Sequence, residues 1–160
     1  MTSTLKRTFL ALSVMALPLA AAAGQMVSYA VDGDFDDVRF DLETAIVNRG
    51  LVIDYEAFVG EMLKRTAADV GAERDLFTRA ESFQFCSALL SRRMMEADPA
   101  NLGFCPHIVF AYEEVGAEGR VHVGYRPLPE NGDLSEESRA ALAEINALMD
   151  SIVREAARAD

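Results

Sequence analysis

The two cysteines carry the clearest chemistry in this 160-residue chain. Cys86 lies in Phe-Cys-Ser and Cys105 in Phe-Cys-Pro, 19 positions apart. In an oxidising compartment, an even pair in a small domain predicts a disulfide. Closing a loop of this length would stabilise the fold by about 3 kcal/mol. A redox-active pair is the alternative, although the spacing is far from the C-x-x-C arrangement that lowers the pKa of a thiol.

A soft-metal site is another interpretation of the same region. Thiolate and thioether ligands suit Cu(I), and Cys86, Cys105 and His107 would supply them together with Met94 or Met95. Adjacent methionines on a predicted helix more often fill gaps in a core. We therefore expect no cofactor and keep the Cu(I) ligand set as an alternative.

The only two histidines do not form a pair. In a hairpin that turns near residues 116–119, His122 lies opposite Tyr112 or Glu113. His107 is then five or six residues away along its strand, or about 17–20 Å. We expect His122 to face outward. His107, which follows Cys105-Pro106 at the entrance of a strand, is the better candidate for a site.

A group of acids partly matches a calcium loop. Asp32, Asp34, Asp36 and Glu43 fill positions 1, 3, 5 and 12 of an EF-hand. Position 6 needs glycine for a sharp turn, and this chain has Asp37 there. Helix capping explains the same acids with fewer demands. No Ser-His-Asp signature, phosphate-binding glycine loop or H-E-x-x-H motif is present, so no catalytic residue is assigned.

The elements that must position these residues follow from the hydrophobic periodicity. We predict an α+β (α/β two-layer) fold with one mixed, largely antiparallel sheet, helices packed on it, and a C-terminal amphipathic helix. The segment 58–70 is predicted as a helix whose Met62, Leu63 and Ala67 face the core, and 72–79 is left unassigned. The other predicted elements are strands at 26–31, 51–55, 81–88, 107–114 and 120–125, and helices at 34–49, 89–97 and about 134–158.

The last predicted helix carries a regular apolar stripe. It is long enough to pack against a second subunit, so we expect a homodimer. Its stripe consists of Leu142, Ile145, Met149, Ile152 and Ala156.

The N-terminus reads as a secretory signal peptide. Lys6 and Arg7 precede an apolar run that is too short to span a bilayer and ends in Ala20–Ala23. Cleavage there predicts a signal peptide over 1–23 and a single mature domain over 24–160, periplasmic or secreted. No later apolar run is long enough to cross a membrane.

The charge excludes two classes of partner. The chain carries a net charge of −11, and loss of Lys6 and Arg7 makes the mature protein more acidic. Nucleic acids and anionic lipid surfaces attract Lys- and Arg-rich proteins. We therefore expect neither nucleic acid nor membrane binding, and the small molecule or protein that the domain binds stays unassigned.

A resemblance extends over residues 27 to 128. The run FCSALLSRRMMEADPANLGFCPHIVFAYEE, followed by GRVHVGYRPLP, resembles the secreted branch of the bacterial family catalogued as domain of unknown function 302. Cys105, Pro106 and Tyr112 match a Cys-Pro-x-x-[Ile/Val]-x-x-Tyr strand, and Gly50 matches a helix-ending glycine. The partner strand departs from the pattern, because Tyr125 precedes Pro127 by two positions instead of three. The resemblance implies a compact α/β domain, often self-associating, without an agreed activity.

These observations favour an exported binding or accessory domain that is not an enzyme. The candidate ligand site comprises Cys86, Cys105, Pro106, His107, Tyr112 and Tyr125. The alternatives are a periplasmic thiol-redox or Cu(I)-handling protein acting through the two cysteines, and a small hydrolase or lyase using His107 with a nearby acid.

Overall fold

The computed structural model describes residues 26–159. The predicted signal peptide, 1–23, lies outside the described residues. Among the helices from 26 to 159, none is both long and apolar enough to cross a lipid bilayer.

One five-stranded sheet forms the centre of the fold. Its strand order is β1-β5-β4-β3-β2, and every neighbouring pair is antiparallel. The predicted sheet is thus confirmed, although it contains no parallel pair among the described strands. The strands are β1 (Val27–Asp32), β2 (Val52–Ala57), β3 (Phe77–Cys86), β4 (His107–Glu114) and β5 (Arg120–Tyr125).

Three α-helices and one 3₁₀ turn connect the strands, and a fourth α-helix follows β5. Serine and aspartate caps define where several of them begin: the side chains of Asp34, Ser87 and Ser135 each accept a hydrogen bond from the first turn that follows. Such caps satisfy amide groups that a helix leaves without partners. The helices are α1 (Phe35–Val47), α2 (Val59–Thr66), α3 (Ala88–Ala97) and α4 (Glu136–Ala156), and the 3₁₀ turn is Pro99–Phe104.

The core lies between one face of the sheet and helices α1, α3 and α4. Strands β4 and β5 send alternate residues to this face, including the buried Val109, Val121 and Val123. The whole predicted stripe of α4, from Leu142 to Ala156, is buried against the core of its own chain. The stripe therefore leaves no apolar surface on α4 for a second subunit, and this removes the physical basis on which we expected dimerisation through that helix.

The opposite face of the sheet is open except where α2 crosses one end. Gly60 of α2 packs so closely on β3 that a Cβ atom there would lie 2.9 Å from the Ala80 nitrogen. The prediction that Met62 and Leu63 face the core is wrong, because these side chains are 41% and 38% exposed. The helix is amphipathic, but its closest approach to the sheet is at Gly60, and its larger apolar side chains Met62 and Leu63 stay partly uncovered.

Candidate functional site

The cysteines meet where β3 ends and β4 begins. Phe85 lies opposite His107 in the antiparallel register, which brings the residues that flank this pair to one corner of the sheet. The Cys86 and Cys105 sulfur atoms are 1.98 Å apart, and their Cα atoms are 6.4 Å apart. The predicted pairing is confirmed. We call this region, Cys86, Cys105, Pro106 and His107, the cystine corner.

Polar contacts tie the cystine corner to the helical layer. The Ser91 hydroxyl of α3 lies 3.8 Å from the Cys105 sulfur. The buried Asn101 amide donates to the Met94 carbonyl at 2.8 Å and to the Ser138 hydroxyl of α4 at 2.9 Å. The chain between the two cysteines is therefore anchored independently of the disulfide.

His107 is buried completely inside this corner. Its ring contacts Phe85 edge-on at a centroid distance of 5.9 Å, and neither ring nitrogen has a hydrogen-bond partner among the described residues. Burial lowers the pKa of His107 below its ordinary value, because apolar surroundings disfavour the imidazolium. The positive charge of Arg126 adds to this lowering of the His107 pKa. His107 is thus a neutral core residue that does not reach solvent.

The lowered pKa of His107 makes the fold sensitive to acid. Below pH about 6.5, the unfolded chain takes up a proton that the folded chain does not, so stability falls as pH falls. The slope approaches about 1.4 kcal/mol per pH unit until the folded-state pKa is reached. We expect His107→Phe to remove this contribution between pH 7 and pH 5.5 in urea unfolding. Since both proteins carry the same carboxylates, equal pH slopes would contradict the prediction.

The Cu(I) ligand set does not assemble in this state. Met94 is buried in the core, and Met95 packs against it from a partly buried position. The two cysteine sulfurs are bonded to each other, so neither is a thiolate. Within residues 26–159, no three His, Cys, Asp or Glu side chains gather as ligands for a metal ion.

The acids of the calcium pattern make other contacts. Asp34 accepts a hydrogen bond from the Asp36 amide as the N-cap of α1, and the Asp36 carboxylate pairs with Arg79 at 2.9 Å. Glu43 pairs with Arg39 at 3.0 Å. Asp32, at the end of β1, lies 3.9 Å from Arg120. Capping and ion pairing thus engage the four acids separately.

The two candidate tyrosines lie apart from the cystine corner and from each other. Tyr125 is buried on the core face of β5, whereas Tyr112 lies on the open face of β4. The six predicted ligand-site residues therefore do not form one surface. Four of them form the cystine corner, and only Tyr112 belongs to the open face.

The open face carries an aromatic cluster that the sequence did not single out. Tyr112 stacks on His122 at a centroid distance of 4.8 Å, and it also contacts Phe77 at 5.5 Å and Phe110 at 6.1 Å. The prediction that His122 lies opposite Tyr112 or Glu113 is confirmed, and the strand register selects Tyr112. We call these four residues, Phe77, Phe110, Tyr112 and His122, the open-face aromatic cluster.

Gly124 holds one end of this cluster in place. A Cβ atom at Gly124 would lie 2.5 Å from the Phe110 ring and 2.4 Å from the Val27 carbonyl oxygen. Only glycine allows the Phe110 ring to lie flat across the neighbouring strand, since any larger residue would displace it. Gly124 therefore makes room for the Phe110 ring, which in turn stacks on Tyr112.

No charged side chain interrupts the middle of the open face. Between Glu114 at one end and Arg126, opposite Ile108, at the other, the residues of β3, β4 and β5 that point there are uncharged: Ala80, Ser82, Gln84, Ile108, Phe110, Tyr112, His122 and Gly124. Charges begin only at the margin, for instance at Arg120 and Asp32. In a chain with a net charge of −11, this uncharged area is a distinct surface.

A partly buried ion cluster around the buried Glu81, on the core side, also escaped the sequence analysis. Arg39 of α1 pairs with Glu56, with Glu43, and with Glu81 at 2.7 Å, while Arg79 pairs with Glu81 at 2.9 Å. Burial alone lowers the pKa of Arg39, but hydrogen bonds to Glu56 and Glu81 outweigh it, so the pKa is raised. The ion pairs of Arg39 with Glu56 and Glu81 join α1 to strands β2 and β3.

Comparison with known proteins agrees with this fold. The family model described as "Domain of unknown function DUF302" matches residues 27–156. One similar solved structure is that of an uncharacterized conserved DUF302 protein from Bacillus stearothermophilus, with a TM-score of 0.66 and 14% identity over 82% of this chain and 97% of that chain. At this identity the similarity concerns the fold alone. A search of curated proteins found no match. Because the family model spans most of its length, the chain belongs to the DUF302 family.

Proposed function

We propose that this protein is a small binding or accessory domain that acts through the open face of its sheet. One observation carries the proposal: an aromatic cluster lies on a largely uncharged area of the sheet face, which α2 covers only at one end, over Ala80. Rigid aromatic side chains contribute strongly to binding because little conformational freedom remains to be lost.

The open face suits this role better than the cystine corner does. In the cystine corner, His107 is fully buried, and the Cys86–Cys105 disulfide joins the end of β3 to the segment before β4. The contacts of this corner are therefore those of a packed core. On the open face, Tyr112 and His122 keep part of their ring surface accessible. A partner would find its contacts there without any rearrangement of the fold.

Native mass spectrometry of the protein purified from its own cells tests the proposal. We expect a complex with a macromolecular partner, and we expect Ile108→Glu to abolish it by placing a carboxylate on the open face. Leu89→Glu is the matched control, because Leu89 is an exposed apolar residue on α3, in the other layer. A bare monomer from the wild type, or a complex that Ile108→Glu leaves intact, would refute binding through this face.

We also propose that the domain is exported to the periplasm or secreted. The residue pattern of 1–23 and the paired cysteines support this, since disulfides persist in oxidising compartments. The intact mass from the same measurement should correspond to a chain that begins at Gly24. A mature protein retaining Lys6 and Arg7 would contradict cleavage.

A thiol-redox role is the second candidate, and the setting of the sulfurs favours it over metal handling. Cys86 directly precedes Ser87, the N-cap of α3, and the Ser91 hydroxyl lies beside the Cys105 sulfur. A thiolate formed here on reduction would face the positive end of a helix dipole and a hydroxyl donor. The intact mass of the protein distinguishes the disulfide form from the reduced dithiol form, because the disulfide form is two hydrogens lighter. A pair that stays oxidised under mild dithiol reductant would exclude the redox role.

A further inference from the structure

We propose that the free edge of β1 binds an extended, positively charged peptide segment of another protein, which joins the sheet as an additional antiparallel strand. The order β1-β5-β4-β3-β2 leaves two edges, at β1 and at β2. Edge strands carry main-chain groups that can pair with a further strand. This edge is a different surface from the open-face aromatic cluster, and binding there would not depend on that cluster.

The strand register shows which main-chain groups of β1 are free. β1 pairs with β5 along its whole length without a register shift. The amide of Gly33 continues this register and donates to the Gly119 carbonyl at 3.0 Å. Because hydrogen-bonded pairs alternate along an antiparallel ladder, the odd-numbered residues of β1 bond to β5. The main-chain groups of Ser28, Ala30 and Asp32 therefore point away from the sheet.

A second hydrogen bond gives the same assignment from the other side of β5. The Arg126 amide donates to the Ile108 carbonyl at 3.1 Å, so the even-numbered residues of β5 bond to β4. The odd-numbered residues of β5 are then the partners of β1, in agreement with the register. Among residues 26–159, the backbone of β1 bonds to β5 alone, and the even-numbered residues of β1 are exposed.

The two edges of the sheet differ in how they resist a further strand. β2 has a register shift between Ile53 and Tyr55, and the extra residue, Asp54, places a charge in the middle of the strand. Bulges and charges of this kind keep an edge from pairing. β1 has no bulge and no proline, and its one charged residue, Asp32, stands at its end. The β1 edge is therefore open to pairing, whereas the β2 edge is protected.

The side chains of β1 indicate what kind of strand fits beside it. On the core side, Val27, Tyr29 and Val31 pack against the core but are only partly buried. β-Branched residues of an added strand would cover the rest of these side chains. On the other side, Ser28 and Ala30 are small and leave room for polar residues. The edge thus suits a segment that alternates apolar and small polar residues.

Charge distinguishes a basic peptide from a second copy of this chain. The chain carries a net charge of −11, so two copies repel each other. Asp32 and Asp34 are exposed where β1 ends, and Asp32 reaches Arg120 only at 3.9 Å. A lysine or arginine near the end of an added strand would be attracted to these carboxylates. A basic segment is therefore the occupant that the edge favours.

Binding of a synthetic peptide to the purified, disulfide-bonded protein tests the inference. The probe is Lys-Val-Thr-Val-Thr-Val-Lys with blocked ends, and calorimetry measures its dissociation constant. We expect Ala30→Pro to weaken binding by about tenfold or more, because proline lacks the amide that the added strand would use. Ala30→Val keeps this amide and should lose far less affinity. No binding of the probe to the wild type at millimolar concentration would refute the inference.

The fold of Ala30→Pro should be retained, because an edge strand tolerates proline where the amide faces solvent. Urea unfolding checks this. N-methylated peptides give a second measurement that leaves the protein unchanged. In the antiparallel pairing, the threonine amides of the probe point toward β1 and the valine amides point away from it. Methylating the threonine amides should weaken binding by about tenfold or more, and methylating the valine amides should not. Equal affinities of the two methylated peptides would overturn strand addition.

Amide hydrogen exchange, followed by NMR, locates the contact. In the free protein, the amides of Ser28 and Ala30 should exchange fast, whereas that of Tyr29, which bonds to β5, should be protected. Saturating probe should slow exchange at Ser28 and Ala30 by about tenfold or more. Protection by the probe at other strands, without these two amides, would refute binding at this edge.

Two further results decide the nature of the occupant. A probe with glutamate in place of both lysines should bind about tenfold more weakly, and equal binding would refute a basic partner. Light scattering of the protein without peptide should give the mass of one chain. Twice that mass, with Ser28 and Ala30 already protected from exchange, would place a second copy on the edge and refute the peptide.

Discussion

Replacing Arg39 by methionine is expected to lower the free energy of unfolding by about 3 kcal/mol. The Glu81 carboxylate is only 4% exposed and accepts a hydrogen bond from the Arg39 Nε atom at 2.7 Å. Without the guanidinium, this buried negative charge loses its main neutralising group. The loss lies at the lower end of the range for buried pairs, because Arg79 still contacts Glu81.

Chemical unfolding of three variants checks this effect. Arg92→Met is the control, because Arg92 forms an exposed pair with Glu96 on α3, and exposed pairs contribute less than about 1 kcal/mol. In the Arg39→Met background, Glu81→Gln should recover about 1 kcal/mol or more, since it removes the uncompensated charge. Equal effects of Arg39→Met and Arg92→Met would show that burial does not strengthen the Arg39 pairs.

Removing the disulfide is expected to cost about 3 kcal/mol in the double variant Cys86→Ser/Cys105→Ser. The bond closes a loop with a sequence separation of 19 that contains α3 and the 3₁₀ turn. Opening it leaves the folded contacts of Asn101 in place but gives the unfolded chain more freedom. The stability change therefore arises mainly in the unfolded state.

Thermal unfolding with and without reductant separates the bond from the side chains. A dithiol reductant should lower the melting temperature of the wild type to near that of the double variant and leave the variant unchanged. The wild type could instead melt at the same temperature with and without reductant, and at the temperature of the variant. That result would contradict a stabilising disulfide.

Several features of the fold were accessible from the sequence because they depend on neighbours in the chain. The hairpin of β4 and β5 has a turn between two β-prone runs, and its register pairs His122 with Tyr112, one of the two partners predicted. The N-cap position of Asp34 and the apolar stripe of α4 follow from spacing alone. The cysteine pairing was predicted from their number and the inferred compartment, and the β3–β4 contact confirms it.

Tertiary structure decided which side of α2 meets the sheet. It also decided which residues form the ion cluster around Glu81 and the open-face aromatic cluster. Periodicity shows that a helix has an apolar side, but it does not show which layer that side meets, so Met62 and Leu63 were placed wrongly. Arg39 and Glu81 are 42 residues apart and meet only when α1 lies across the sheet.

The sequence by itself determined the α+β class, the disulfide, the family resemblance and most element boundaries, because each rests on local pattern or composition. The sequence also predicted that His122 faces outward, but only the tertiary structure decided which helices cover the other side of the sheet and that Tyr112 and three further residues cluster around this face. In an alternating strand, both faces are present in the sequence, and which face is buried depends on where distant helices pack.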